Sequence, residues 1–231
     1  MGKIVANYLI TYIDPIDRYE TSRQRLIDSC SGIGLDYIIN YDRAHLITTD
    51  FYTKYKHILD QPRGAGYWLW KPFYVWHTLN QVQDGDTIIY IDADHYVTDR
   101  NIIGMINSAM DDRGLYITDM KYHGHKNRRW TKRDCFVFMG CDEEKYWDGF
   151  HVEAGKCAYR KNEFVMKFVE DWLGYACNEN SITDLPNICG KPNFPEFQDH
   201  RHDQSVLALM TIKHNIKTVD SLELWKYLIY D

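Results

Sequence analysis

Asp92 and Asp94 stand two residues apart at the end of the apolar run Ile88-Ile-Tyr-Ile91. Hard divalent cations take oxygen ligands, and side chains two apart on an extended strand leave on the same face. This pair could therefore present two carboxylates to one Mg2+ or Mn2+. A cation placed there suits a diphosphate, whose negative charge it would share. A second Asp-x-Asp triplet, Asp84-Gly-Asp86, contains a glycine and precedes the apolar run, which marks it as a turn. The alternative for Asp92 and Asp94 is a solvated strand end.

Three further segments carry reactive or charged side chains at suggestive spacing. Arg63-Gly-Ala-Gly-Tyr-Trp-Leu-Trp-Lys71-Pro72 sets two cations around a glycine turn at an expected helix start, where free backbone N–H groups and the helix dipole favour an anion. It lacks the P-loop spacing, and an aromatic helix with incidental charges explains it equally well. Val152-Glu153-Ala-Gly155 pairs a carboxylate with small residues that let a ligand approach the backbone. His200-Arg-His-Asp-Gln204-Ser places two imidazoles, a carboxylate and an amide ahead of an apolar helix, where Asp203 is either a ligand group or the helix N-cap.

Elements that would position these groups follow from periodicity and turn signals. Ile4 to Ile13 reads as a buried first strand ended by Asp14-Pro15, Tyr19 to Ser29 as a surface helix, and Leu35 to Ile39 as the second strand. A βαβ opening of this kind brings the carboxyl ends of parallel strands to one edge, so Thr11 and Tyr12 should lie beside Asp92. Tyr67 to Val82 reads as a helix with Pro72 in its first turns, Asn101 to Met110 as another, and Leu115 to Thr118 as a short strand. The basic stretch Lys121 to Lys132 is either a solvated loop or a cationic lid over phosphates.

Further on, Phe136 to Phe138 reads as a strand before a short helix near Asp142 to Tyr146. His151 to Arg160 reads as a strand with a ligand-facing turn at Ala154-Gly155. Glu163 to Ala176 and Asp203 to His214 read as helices, Asn178 to Asp199 as an irregular excursion holding three of the six prolines, and Lys217 to Asp220 as a last strand.

Composition sets the outer bounds. A chain of 231 residues, 45% hydrophobic and 26% charged, fits one soluble domain with a substantial core. A net charge of -6 gives no overall attraction to nucleic acid or an anionic membrane, so any phosphate recognition must be local. Eighteen Tyr and seven Trp are more than packing obviously needs; such rings suit sugars and nucleobases, the alternative being that they simply fill the core and rim. The six cysteines form no Cys-x-x-Cys pair, which favours reduced thiols and a cytoplasmic setting. No apolar stretch has the length of a signal sequence core or a membrane span.

Taken in chain order, the strand-terminal Asp92-Ala-Asp94, the Glu153-Ala-Gly155 strand and the helix opening His202-Asp-Gln-Ser205 resemble the nucleotide-sugar-dependent glycosyltransferases of the GT-A fold, over roughly residues 3 to 215. His202-Asp-Gln-Ser205 is similar to the His-Asp-Glu-Ser of retaining galactosyl-type transferases, with Gln replacing Glu, and Asp203-Gln204 to the Asp-Gln-Asp of glycogenin-like and lipopolysaccharide transferases. The Tyr67-to-Pro72 block looks like one in uncharacterised bacterial and large-virus sugar transferases.

The resemblance implies a single Rossmann-like α/β domain over 1–231 with a mostly parallel sheet flanked by helices. Residues 3–120 would form its nucleotide-binding half and 121–231 its acceptor and donor-sugar half. It implies transfer of a hexose, with retention, from a UDP-sugar or GDP-sugar to a carbohydrate acceptor, dependent on Mn2+ or Mg2+. Asp92, Asp94 and His202 would hold the metal, His214 being another candidate for the third ligand. Thr11, Tyr12, Arg63, Lys71 and Asp92 would bind the nucleotide, Lys71 contacting its diphosphate. Glu153 and Asp203 would hold donor hydroxyls, with Gln204 beside the anomeric carbon. A neutral amide there is a poor nucleophile, which favours front-side displacement over a covalent intermediate. Rival functions are a nucleotidyltransferase-like enzyme using the same acidic strand end, or a non-catalytic glycan-binding module.

Overall fold

A computed structural model describes residues 5–14 and 17–230 of the chain. Its strands are β1 (Asn7–Ile13), β2 (Tyr37–Asp42), β3 (Thr87–Ile91), β4 (His95–Val97), β5 (Leu115–Asp119), β6 (Val152–Arg160), β7 (Val219–Asp220) and β8 (Leu228–Tyr230). Six form one sheet in the order β2-β1-β3-β6-β5-β7, while β4 and β8 pair separately. β1 runs parallel to β2 and β3, and β5 parallel to β7, whereas β6 is antiparallel to both its neighbours. The expected α/β class with a mostly parallel sheet flanked by helices is what the chain adopts.

Alternation of buried residues along the strands divides the core into two layers. Ile10, Ile88, Tyr90, Leu115, Ile117 and Tyr159 face one side, where they meet the helices Trp70–Leu79, Glu163–Ala176 and His202–Lys213. Leu9, Ile89, Ile91, Tyr116 and Ala158 face the other, against Asp17–Ser29 and Ile102–Ala109. The central helix His202–Lys213 is buried nearly all round, which explains its apolar sequence without a polar stripe.

Strand reversal decides where the site lies. Because β6 enters antiparallel between β3 and β5, its N-terminal end at Val152 and Glu153 comes to the edge where β3 and β5 end. Strands from the first half of the chain (β1, β2, β3, β5) and from the second (β6, β7) therefore interleave in one sheet.

Several local expectations are corrected. The second strand spans Tyr37–Asp42 instead of Leu35 to Ile39, because its pairing with β1 continues to Ile13 opposite Asp42. Phe136 to Phe138 is not a strand but the end of the helix Arg133–Phe138. Once Met139 is counted, the buried Cys135, Phe136 and Met139 have helical spacing, which a three-residue window cannot reveal. The Lys121–Lys132 stretch is partly stitched into the fold: Asn127–Trp130 makes a helical turn, Lys126 bridges to Phe150, and buried Lys132 donates to the carbonyls of Thr183 and Leu185. Arg128 pairs with Asp148. Lys217 to Asp220 shortens to Val219–Asp220, and the sequence patterns did not indicate β8, which closes over β4 at the site edge. Ile4 and Pro15, the expected first residue and stop of the opening strand, lie outside the described residues.

Candidate active site

The helix expected from Tyr67 begins instead at Trp70, since Gly64, Ala65, Gly66, Tyr67 and Trp68 all have positive φ, between 51° and 98°. A left-handed turn of this kind is costly for residues with a Cβ. Gly66 is required twice over, since a Cβ there would also sit 2.5 Å from Leu59 Cα. Backbone strain concentrated in one loop is a feature of ligand sites. Here the turn carries Gly64, Ala65 and Trp68 to a cavity of about 600 Å3 whose other walls include Tyr12, Trp70 and Asp94. Tyr12 stacks on Trp70 with ring centroids 4.0 Å apart, and its hydroxyl donates to Asp14 at 2.9 Å.

A second cavity, about 560 Å3, is lined by Glu153, Lys156, Gln204, His151, Trp130 and Arg201, among others. Asp92 and Tyr230 line both cavities, so the end of β3 is the junction between an aromatic cavity and a second, the polar cavity, where hydrogen-bonding side chains share the wall with Met120, Trp130, Trp225, Leu228 and Ile229.

At that junction Asp92 and Asp94 do not continue the strand. β3 ends at Ile91, and the backbone turns, with the Asp92 N–H donating to Gly155 O at 2.8 Å. The two carboxylates take different protein partners: Asp92 points toward Lys71, whose Nζ lies 3.1 Å from Oδ1, while Asp94 accepts from His95 Nδ1 at 2.8 Å. Tyr90 donates to Asp92 Oδ1 at 2.6 Å. Burial alone would raise the Asp92 carboxyl, but Lys71 and the Tyr90 hydroxyl outweigh it and hold the group below its ordinary value. Burial likewise works against the Lys71 cation, and Asp92 and Asp203 overcome it and raise its pKa.

Asp203 lies behind this pair. Only 3% of it is exposed, its Oδ2 is 3.9 Å from Lys71 Nζ, and that oxygen has no hydrogen-bond partner. It lines neither cavity. The helix starts at His202 with Arg201 as its N-cap, so Asp203 is a first-turn residue and not the cap. Burial pushes its carboxyl up to about 7, Lys71 opposing the rise and Asp92 adding to it.

A free carboxyl ionises at about 4, so between about pH 4 and 7 the folded chain holds a proton that the unfolded chain has lost. Stability contributed by this group accordingly falls as pH rises through that window. Asp203→Asn is expected to unfold at higher urea than the wild type at pH 8, by about 1–3 kcal/mol, with the gap narrowed at pH 5. Urea curves at both pH values without added metal test this, and a variant weaker than wild type at pH 8 would count against it.

Gly155 was expected to make room for a ligand. The space is taken instead by Asp92, because a Cβ on Gly155 would overlap Asp92 Oδ2. Ala154-Gly155 is also no turn: Ile117 pairs with Cys157 and Thr118 with Glu153, so residues 154–156 form a bulge against β5. That bulge turns Lys156 to the same face as Glu153. Lys156 Nζ is 3.2 Å from Glu153 Oε1 and 3.4 Å from His95 Nε2, and Thr118 donates to Glu153 Oε2 at 3.0 Å. Gly155→Ala is expected to displace the Asp92 carboxylate, costing about 1–3 kcal/mol and at least about tenfold in turnover. Urea unfolding and steady-state rates would check both.

The remaining expected site residues divide clearly. Gln204 lines the polar cavity with Oε1 accepting from the Ala154 N–H at 3.3 Å. Thr11 is fully buried in β1 and lines neither cavity. Arg63 is drawn off into ion pairs with Asp184 at 3.1 Å and Asp199 at 2.7 Å, bracing the left-handed turn against the excursion. Lys71 is sealed beneath Asp92 and faces neither cavity. His202 donates Nδ1–H to Ile182 O at 2.7 Å, stacks on Trp68 and packs at a tilt against Tyr67; burial lowers its pKa to about 4. His214 packs against Phe164 and Phe168 on the same helical layer.

Among the described residues, no three His, Cys, Asp or Glu side chains are grouped to hold a metal, so His202 and His214 do not complete a ligand set with Asp92 and Asp94. Lys156, His95, Trp130 and Tyr230 are site residues that the motifs did not single out. The one available signal was that Lys156 directly follows the Ala-Gly pair.

All six cysteines are free, and no described helix is long and apolar enough to cross a membrane. No protein-family model matches the chain, and no curated protein sequence matches it. Solved structures do align with it. Mouse xyloside xylosyltransferase 1 in its apo form aligns at 11% identity, over 93% of this chain and 84% of that one, with a TM-score of 0.49. A glycosyltransferase involved in glycosylation of the major capsid of PBCV-1 aligns at 10% identity, over 97% and 92%, with a TM-score of 0.45. The galactosyltransferase LgtC, solved with donor and acceptor sugar analogs, aligns at 12% identity, over 88% and 70%, with a TM-score of 0.43. Each of these proteins is a glycosyltransferase.

Proposed function

We propose that this chain transfers a sugar from a nucleoside diphosphate to a hydroxyl of a carbohydrate acceptor. The carrying observation is the meeting of two cavities at Asp92, one walled by aromatic rings and one by hydrogen-bonding side chains. A nucleoside fits the first, whose wall includes Trp68 and the mutually stacked Tyr12 and Trp70. A hexose fits the second, where Glu153 is held by Lys156 and Thr118 in position to accept sugar hydroxyls. The diphosphate joining them would cross the turn at Asp92 and Asp94.

That turn fits a hard cation carried in with the diphosphate. Mg2+ and Mn2+ in such sites use one or two carboxylates, the remaining positions going to phosphate and water, and both Asp92 and Asp94 line the aromatic cavity. The two carboxylates would hold it, and when bound it neutralises charge on the departing diphosphate.

The chain's own residues do the rest. Lys71 and Tyr90 fix the Asp92 carboxylate, and Gly155 leaves room for it. Gln204, anchored through Oε1 to Ala154, offers its amide N–H groups to the sugar and supplies no carboxylate nucleophile. In the reaction favoured by that amide, the acceptor oxygen bonds to the anomeric carbon on the face the diphosphate leaves, and its proton passes to the departing phosphate oxygen. The configuration is retained.

Calorimetric titration with UDP, GDP and their hexose conjugates, with and without Mn2+, tests the proposal. The expected result is binding of one nucleotide class, strengthened by the metal and followed by sugar release or transfer. Failure of every nucleoside diphosphate to bind would refute it, and formation of a nucleotide sugar from a nucleoside triphosphate and a sugar phosphate would replace it.

A further inference from the structure

We infer that the part of the polar cavity walled by His151, Trp130 and Trp225 is a subsite for a neutral oligosaccharide, one of whose hydroxyls bonds to His151 Nε2 while its ring faces lie along the aromatic rim. This rests on the sugar-transfer reading and names its acceptor class.

His151 is 1% exposed and lines the cavity. Its Nδ1 lies 2.9 Å from Asn127 Oδ1, and Asn127 Nδ2 donates to Tyr146 O at 3.0 Å, which fixes the amide so that its oxygen faces the imidazole. Nδ1 therefore carries the proton and Nε2 a lone pair. That Nε2 is buried without a partner, a situation that costs about 1–3 kcal/mol until a donor arrives. Burial, with Arg201 and His125 nearby, lowers the imidazole pKa to about 3, so it is a neutral acceptor throughout the physiological range. Trp130 lines the same cavity, and its Nε1 is likewise shielded and unpartnered. An unused acceptor and an unused donor in one wall suit hydroxyl groups, which both give and take hydrogen bonds.

The rim extends this recognition beyond one sugar. His125 packs on Trp130 with centroids 5.1 Å apart, His123 on His125 at 5.4 Å and on Trp225 at 5.3 Å, and Tyr122 on His123 at 5.4 Å. Trp225 is 45% exposed and Tyr122 is 66% exposed, so the row of rings runs from the cavity wall to open solvent. Amphipathic rings of this kind suit the apolar faces of pyranoses. The cations in the wall already have carboxylate neighbours, Glu153 for Lys156 and Asp199 for Arg201, which favours a neutral glycan over an anionic one.

The test probes a glycan array carrying neutral and sialylated or sulfated oligosaccharides with wild type, His151→Phe and Trp225→Ala, while calorimetry follows UDP and GDP binding in parallel. Expected are hits among the neutral oligosaccharides, weakened at least about tenfold by each substitution, with nucleotide affinity within about twofold of wild type. Trp225 is at the surface, so its variant keeps the test valid should His151→Phe not fold. Nucleotide binding with no glycan hit, hits confined to anionic glycans, or hits unchanged in a folded variant would overturn the subsite alone. Glycan hits without nucleotide binding would keep the subsite and refute the donor reading, and the absence of both would refute the two together.

Discussion

Asp94→Ala is expected to lower sugar transfer by about 10³-fold or more while changing unfolding free energy by less than about 1 kcal/mol. The separation of these effects follows from where Asp94 stands. Its side chain is 36% exposed, accepts from His95 Nδ1 and lines the cavity where a nucleoside diphosphate would lie. Its removal therefore strands no buried charge. On the proposed mechanism it does remove one of two carboxylates that would hold a cation against the leaving group, where negative charge grows in the transition state. Steady-state rates and urea curves on the same preparations measure both quantities, and part of the activity should return as Mn2+ is raised. Transfer within about tenfold of wild type would remove Asp94 from the mechanism.

Lys71→Met is expected to produce the largest loss of stability, about 3–5 kcal/mol at pH 8. The ammonium is 3% exposed and sits between Asp92 and Asp203, so its removal leaves the buried Asp203 and the partly exposed Asp92 with no cation between them. Replacing both members of such a group is gentler than removing one. The double variant Lys71→Met/Asp203→Asn should therefore recover part of the loss. Lowering the pH to 5 should recover part of it too, because the Asp203 carboxyl, already raised by burial, then takes up its proton. Urea unfolding of the single and double variants at both pH values separates these contributions. A single variant no weaker at pH 8 than at pH 5 would refute the buried-charge account.

Legibility of the site in the sequence varied with how far apart its parts are. Asp92 and Asp94 stand out because a strand-terminal pair of carboxylates after four apolar residues is a local pattern, and both reach a cavity. Gln204 and Glu153 were found through short motifs, and both line the polar cavity. Arg63 and Lys71 were marked as anion ligands for their charge beside a glycine turn at an expected helix start. The fold spends the first on Asp184 and Asp199 and the second on Asp92 and Asp203, partners 21 to 136 residues away. Lys156 was missed because strand parity puts it opposite Glu153, and only the bulge against β5 brings the two together.

Residue periodicity and turn chemistry by themselves determined the βαβ opening, the main helices and the acidic end of β3, because each depends mainly on nearby residues. Tertiary structure alone decided the left hand of the Gly64–Trp68 turn, the reversal of β6 and the burial of Lys71 between two carboxylates. Charge and dipole act through distance in space, and chain order does not state that distance until the sheet has assembled.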